Sequence, residues 1–301
     1  MGLSRSALSA WMGAMRHSPA DAIRFSRAAL AVLALWLVAG SRGEAQPAPV
    51  DSKECGVPNF WQADPRGHFA NGGSDYCCPV AVSDYLVYFA GRGYGNLLPD
   101  AAAPRDPAQA QIDLINRLAS RDYFGTDPRE GTGPGAVLRG LRRYVEEKGY
   151  RCRRLEYEGW RKVGGAQQQA GRANLPQRDW LLGGLRDPEG AVWLNVGWYE
   201  SGPEAGEWRR VGGHWVTLTE WKEGADGPVL SIRNSLVPPS PGADAAASTV
   251  RLAAAPVGTI RFPDGTSRAT AGMDSVSGPG LPMKRGRYAF LDAAIVFVIG
   301  K

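Results

Sequence analysis

Cys77 lies in the most chemically suggestive stretch of the 301-residue chain, Asp75-Tyr76-Cys77-Cys78-Pro79-Val80-Ala81. From Pro79 to Gly91, Val82, Tyr85, Leu86 and Phe89 recur at helical spacing, so the cysteines stand at the start of a buried helix. A thiol attacks a carbonyl as its thiolate, and the unpaired N–H groups and positive potential at a helix N-terminus favour that form. Such chemistry also needs an imidazole to take the proton and a third group to orient the ring. The chain has three histidines. His17 falls in an N-terminal leader, and His68, in the loop-like Pro65-Arg66-Gly67-His68-Phe69, is the alternative base. His214 begins a strand directly after Gly212-Gly213, and the strand Val229 to Ser235 carries Asn234 at its end. A hairpin through Lys222 to Gly227 would return Asn234 toward His214.

Other chemistries find less support. There is no paired Cys-x-x-Cys, no His-Glu-x-x-His, no phosphate-binding loop, no dinucleotide fingerprint and no Gly-x-Ser-x-Gly elbow, so neither a metal nor a cofactor is expected. A carboxylate pair of the glycosidase kind stays open without a motif behind it. The plain structural alternatives at the chosen residues are a buried thiol beside a disulfide, a core histidine and a turn asparagine.

The elements that must position these side chains read as helices first and a sheet afterwards. Helical patterns run over Gln109 to Ser120 and Gly135 to Gly149, with a short one at Gln177 to Leu185. Strand signals follow at Tyr150 to Tyr157 (weak), Ala191 to Tyr199, Gly213 to Trp221 and Val229 to Asn234. The Pro-, Gly-, Ala- and Ser-rich stretch 238–283 reads as a long surface excursion holding one hairpin-like segment, Thr259 to Thr266. Tyr288 to Ile299 is almost continuously apolar and reads as a central strand. The fold class is α+β. Trp193, Trp198, Trp208, Trp215 and Trp221 are expected mainly to pack the sheet, with a cleft wall as the alternative.

With 44% hydrophobic and 22% charged residues, the composition is that of a globular protein. Residues 1–45 hold Arg5, Arg16, Arg24, Arg27 and Arg42 against Asp21 and Glu44, so most of the formal charge of +5 sits there and a nucleic-acid partner is not indicated. Ala28 to Gly40 is an apolar run of 13 residues, shorter than a membrane span, and Gly43-Glu44-Ala45 offers small residues for cleavage. We therefore expect a signal peptide over 1–45, cleavage after Ala45, a secreted or periplasmic domain over 46–301, and no membrane span once the leader is removed. In an oxidising compartment Cys78 is the candidate for a disulfide, with Cys55 or Cys152.

The order Cys77, His214, Asn234, with 137 residues between the first two, resembles papain-like cysteine peptidases. The local wording resembles the branch related to the double-glycine-leader processing domains of bacteriocin exporters. Its matching pieces here are Val57-Pro58-Asn59-Phe60-Trp61-Gln62, Cys77-Cys78-Pro79-Val80-Ala81, Gly213-His214-Trp215-Val216 and Asn234. The resemblance implies a papain-like fold and a peptide or protein substrate. It implies Cys77 as nucleophile, His214 as general base and acid, Asn234 as the orienting residue and Gln62 as oxyanion donor. Cys78 replaces the family's glycine after the nucleophile, so the spacing to Pro79 selects Cys77, and Asn71 rivals Gln62 as donor. No ATP-binding module follows, which points to a free-standing exported relative. A catalytically silent peptide-binding module, or a cell-wall amidase or endopeptidase, is the alternative.

Overall fold

A computed structural model describes residues 53, 56–99, 106–160, 163, 171–172, 175–238, 248–262 and 265–301, all within the compact unit Pro49–Lys301. The expected leader and Cys55 lie outside the described residues.

Helix α1 (Cys77–Ala90) is apolar on nearly every side and buries 11 of its 14 residues. Proline opens the next two helices, where its missing N–H costs nothing. These are α2 (Pro107–Ala119), whose first turn is capped by Asp106, and α3 (Pro134–Glu147). α2 packs Ile112 and Ile115 against Phe60, Phe69 and Val80. α3 turns Val137, Leu138, Leu141, Tyr144 and Val145 inward. Helix α4 (Arg178–Arg186) contributes Leu181, Leu182 and Leu185 to a separate cluster.

The strands are β1 (Arg151–Gly159), β2 (Gly171–Arg172), β3 (Gly190–Ser201), β4 (Glu207–Lys222), β5 (Val229–Arg233), β6 (Ser248–Ala254), β7 (Thr259–Arg261), β8 (Ser267–Ala269), β9 (Asp274–Ser277) and β10 (Arg287–Gly300). β3 pairs with both β4 and β10, while β10, β9, β6, β5 and β4 follow one another side by side. These six strands therefore form a closed ring. β1 and β2 extend the sheet outside the ring from β10, and the β7–β8 hairpin extends it from β4.

Strand alternation sorts the two faces of the ring. Val192, Leu194 and Val196 of β3, Val216 and Leu218 of β4, Leu230 and Ile232 of β5, Val250 and Leu252 of β6, Val276 of β9 and Val296 of β10 fill the inside together with α4. Trp193, Trp215, Ile295 and Phe297 face outward and pack under α1 and α3. The Ala81 carbonyl of α1 accepts from both Trp193 Nε1 (2.9 Å) and Thr217 Oγ1 (2.8 Å), and Tyr85 donates its hydroxyl to the Leu218 carbonyl (2.5 Å). These bonds fix the start of α1 against β3 and β4.

The described residues of 238–283 include the expected hairpin, as β7–β8, but they are not only a surface excursion. They also supply β6 and β9, which bridge β5 to β10 and close the ring. The sequence signal was weak because β9 buries only Val276 of its four residues. In place of loop, residues 248–254 and 274–277 are short strands whose pairing is long-range. β4 is also longer than expected and begins at Glu207, running through the charged Trp208-Arg209-Arg210. Cys78 and Cys152 are free thiols, so the disulfide expected of Cys78, with Cys55 or Cys152, is not formed.

Because Leu252 on β6 is 3% exposed and packs inside the ring, Leu252→Ala is expected to destabilise the protein by about 2–5 kcal/mol in urea unfolding. A loop residue would change stability by no more than about 0.5 kcal/mol.

Candidate active site

Cys77 is the first residue of α1, and Tyr76 before it supplies no side-chain cap, so the first N–H groups of the helix remain available. The backbone N–H groups of Trp215, Cys78 and Cys77 itself lie near enough to the Cys77 sulfur to favour its charged form. Burial nevertheless dominates and pushes the thiol up to about 11, with Asp75 adding to the rise and the three N–H groups opposing it.

The contact with Trp215 locates the sulfur relative to the sheet. A strand N–H points in the plane of its sheet, and β3 lies along one flank of β4 at this level, pairing Asn195 with Trp215. The β4–β5 pairing ends at Thr217 opposite Arg233. Cys77 is thus near Trp215 at the level of β4 where the pairing with β5 has ended.

His214 is one residue before this contact. Its Nε2 lies 2.8 Å from Asn234 Oδ1. The Asn234 amide is held at both ends: Nδ2 donates to the Gly280 carbonyl at 2.7 Å, and Oδ1 also accepts from the Leu236 N–H at 3.0 Å. The group facing His214 is thus an acceptor, which assigns the ring proton to Nε2 and leaves a lone pair on Nδ1. The Trp198 ring stacks on the imidazole, with centroids 6.3 Å apart and planes 16° apart. His214 is 2% exposed, and burial lowers its pKa to about 4 against the opposing effect of Asn234. Burial thus favours the neutral form of both the thiol and the imidazole.

Gln62 sits beside the same residues in another capacity. Its Nε2 donates to the Gly73 and Ser74 carbonyls at 2.9 and 3.1 Å, its Oε1 accepts from Ser235 Oγ at 2.8 Å, and its N–H donates to the Ser235 carbonyl at 3.0 Å. Both amide hydrogens are taken, so Gln62 clamps the loop before Cys77 to the residue after Asn234 and has no free donor for an oxyanion. Gly73 makes this possible: its φ is 80°, and a Cβ there would overlap the Gln62 carbonyl. Asn71 is exposed and donates to the Pro128 carbonyl at 3.2 Å, on a different contact. His68 is exposed in a left-handed turn and joins none of these groups.

Cys78 is fully buried, with the Thr132 side chain near its sulfur. The rings of Trp193, Trp208, Trp215 and Trp221 are buried in packing, whereas the Trp198 ring lies against His214. The Gly280 carbonyl and the stacking of Trp198 on His214 were not foreseen, and no local sequence pattern marks either. Among the described residues, no three metal-ligating side chains come together.

An unfolded chain protonates His214 near pH 6.5, whereas the folded chain does so only near pH 4. Acid therefore favours unfolding in that window, and the stability contributed above pH 6.5 is lost as the pH falls toward 4, at up to about 1.4 kcal/mol per pH unit. Denaturant unfolding across pH 7 to 4 is expected to show a shallower decline in His214→Gln than in the parent. Compared with known proteins, the chain matches no family model and no curated protein.

Proposed function

We propose that this protein is an exported thiol hydrolase of the papain-like type, cleaving a peptide bond through an acyl-enzyme on Cys77. The observation that carries the reading is the orientation of Asn234, which puts the proton of His214 on Nε2 and leaves Nδ1 as a base on the residue next to the Cys77 contact.

In this reading the Cys77 thiol gives its proton to His214 Nδ1 as the sulfur bonds to the scissile carbonyl carbon. The carbonyl oxygen becomes an oxyanion, and the N–H groups of Cys77 and Cys78 at the uncapped helix start are the donors nearest to it. The imidazolium then protonates the leaving amine as the C–N bond breaks, leaving a thioester. Water, deprotonated by the same Nδ1, attacks the thioester and releases the acid and the thiol. Asn234 and Gln62 are positioning residues: one holds the ring, the other holds the loop that leads into α1.

The neutral resting pair also suits a silent peptide-binding module, since a thiol near 11 is a weak nucleophile without a bound substrate. A peptidyl electrophile separates the two readings. Covalent modification is expected at Cys77 and lost in Cys77→Ala, with the rate lowered about 10²–10⁴-fold in His214→Gln. Equal modification of Cys77→Ala would remove the enzyme reading. N-terminal sequencing of the exported chain is expected to begin at Gln46.

A further inference from the structure

Arg210, three residues before Gly213 on β4, forms a buried ion pair of an unusual kind. Its Nε donates to Asp292 Oδ2 at 2.8 Å, and Tyr199 donates its hydroxyl to Asp292 Oδ1 at 2.6 Å. The Asp292 side chain is 1% exposed and that of Arg210 15%. A guanidinium has five N–H groups, and the strong way to pair it with a carboxylate uses two of them side by side. Here Asp292 takes only the Nε hydrogen. The four hydrogens on Nη1 and Nη2 have no acceptor among the described residues.

The place of this fork is set by two glycines. Gly197 and Gly213 are cross-strand partners. A Cβ on Gly213 would collide with Arg210 Nη2, and one on Gly197 with the Asp292 carboxylate, so the pair lies flat on the outer face of the sheet where those side chains would be. The next partners on that face are Asn195 and Trp215, and the Trp215 backbone lies near the Cys77 sulfur. Two residues along a strand span about 7 Å. Gly213 is exposed, so the floor beneath the fork opens to solvent directly before His214.

We infer that Arg210, anchored by Asp292 and Tyr199 over the Gly197–Gly213 floor, is the specificity-determining residue of the site and receives a carboxylate of the substrate beside the scissile bond. The shared chemistry is a carboxylate held by both Nη groups, whether from an acidic side chain or from a free chain terminus. Asp292 neutralises the arginine's charge without occupying its fork, so the selectivity comes from directed hydrogen bonds rather than from net charge.

The inference rests on the thiol-hydrolase reading, and the test keeps the two apart. Four peptidyl vinyl sulfones are compared by their rates of Cys77 modification. One pair carries Asp or Asn next to the electrophile, and the other carries a benzoate or a benzamide on the sulfone. Because removing Arg210 alone would leave Asp292 buried and uncompensated, the variant is R210Q/D292N, with circular dichroism and thermal unfolding to verify its fold. In the parent, one carboxylate probe is expected to react about tenfold or more faster than its amide twin. Preference for Asp identifies an acidic side chain, and preference for benzoate a chain terminus. In the double variant that ratio is expected to fall to about one. A ratio near one for both pairs in the parent, or a preference that survives in the variant, overturns the inference and leaves Cys77 as the nucleophile. Failure of all four probes to modify Cys77 overturns both.

Discussion

The parting of β5 from β4 after the Thr217–Arg233 pair is the constraint on which the candidate site depends. While two strands are paired, their N–H groups are occupied and a third element has no room between them. Once β5 turns away at Asn234, the Trp215 N–H is free to approach the Cys77 sulfur, and the Asn234 amide is free to meet His214. One backbone divergence thus creates the gap, the thiol contact and the orienting bond. The divergence is held open from three sides: Gly280 accepts from Asn234, Gln62 grips Ser235, and α1 is tied to β4 through Ala81 and Tyr85.

That arrangement ties residues far along the chain to the geometry of the candidate site. Gly280 follows β9, and β9 is placed by pairing with β6 and β10. Closure of the ring therefore delivers the carbonyl that fixes the Asn234 amide, and through it the tautomer of His214. An open sheet with the same β3, β4 and β5 would still carry His214 and Asn234, but the Asn234 amide would keep only the local Leu236 N–H to hold its orientation. The apolar filling of the ring and the hydrogen-bond direction at the site are one problem in packing.

What the sequence made readable follows from the range of the forces involved. Helix α1 and the pairing of His214 with Asn234 rest on local periodicity and a short hairpin, and both were visible in the residues themselves. Strands β6 and β9 were hidden because they are short, sit among Pro, Gly, Ala and Ser, and bury few residues; only pairing across the chain makes them strands. The role of Gln62 was misread for a related reason. Its distance from Cys77 along the chain does not reveal that Gly73 curls the loop back onto its amide. Arg210 and Asp292, 82 residues apart, have no sequence pattern joining them.

The site also poses an electrostatic question that its geometry answers. A cysteine and a histidine this deeply buried favour their neutral forms, as a raised thiol and a lowered imidazole require. A resting ion pair would place two charges in a poorly solvated gap with only backbone N–H groups and one amide to support them. Under the proposed mechanism the charge instead appears when the substrate does. Proton transfer to Nδ1 accompanies sulfur attack, the negative charge moves at once to the carbonyl oxygen, and the helix-start N–H groups that now face the sulfur are placed to follow it. The imidazolium formed in that step keeps its Nε2 hydrogen on Asn234, so the ring does not need to turn between taking the proton and returning it to the leaving amine. In that mechanism burial disfavours the thiolate at rest, and the fixed donors lower the cost of charge only along the reaction itself.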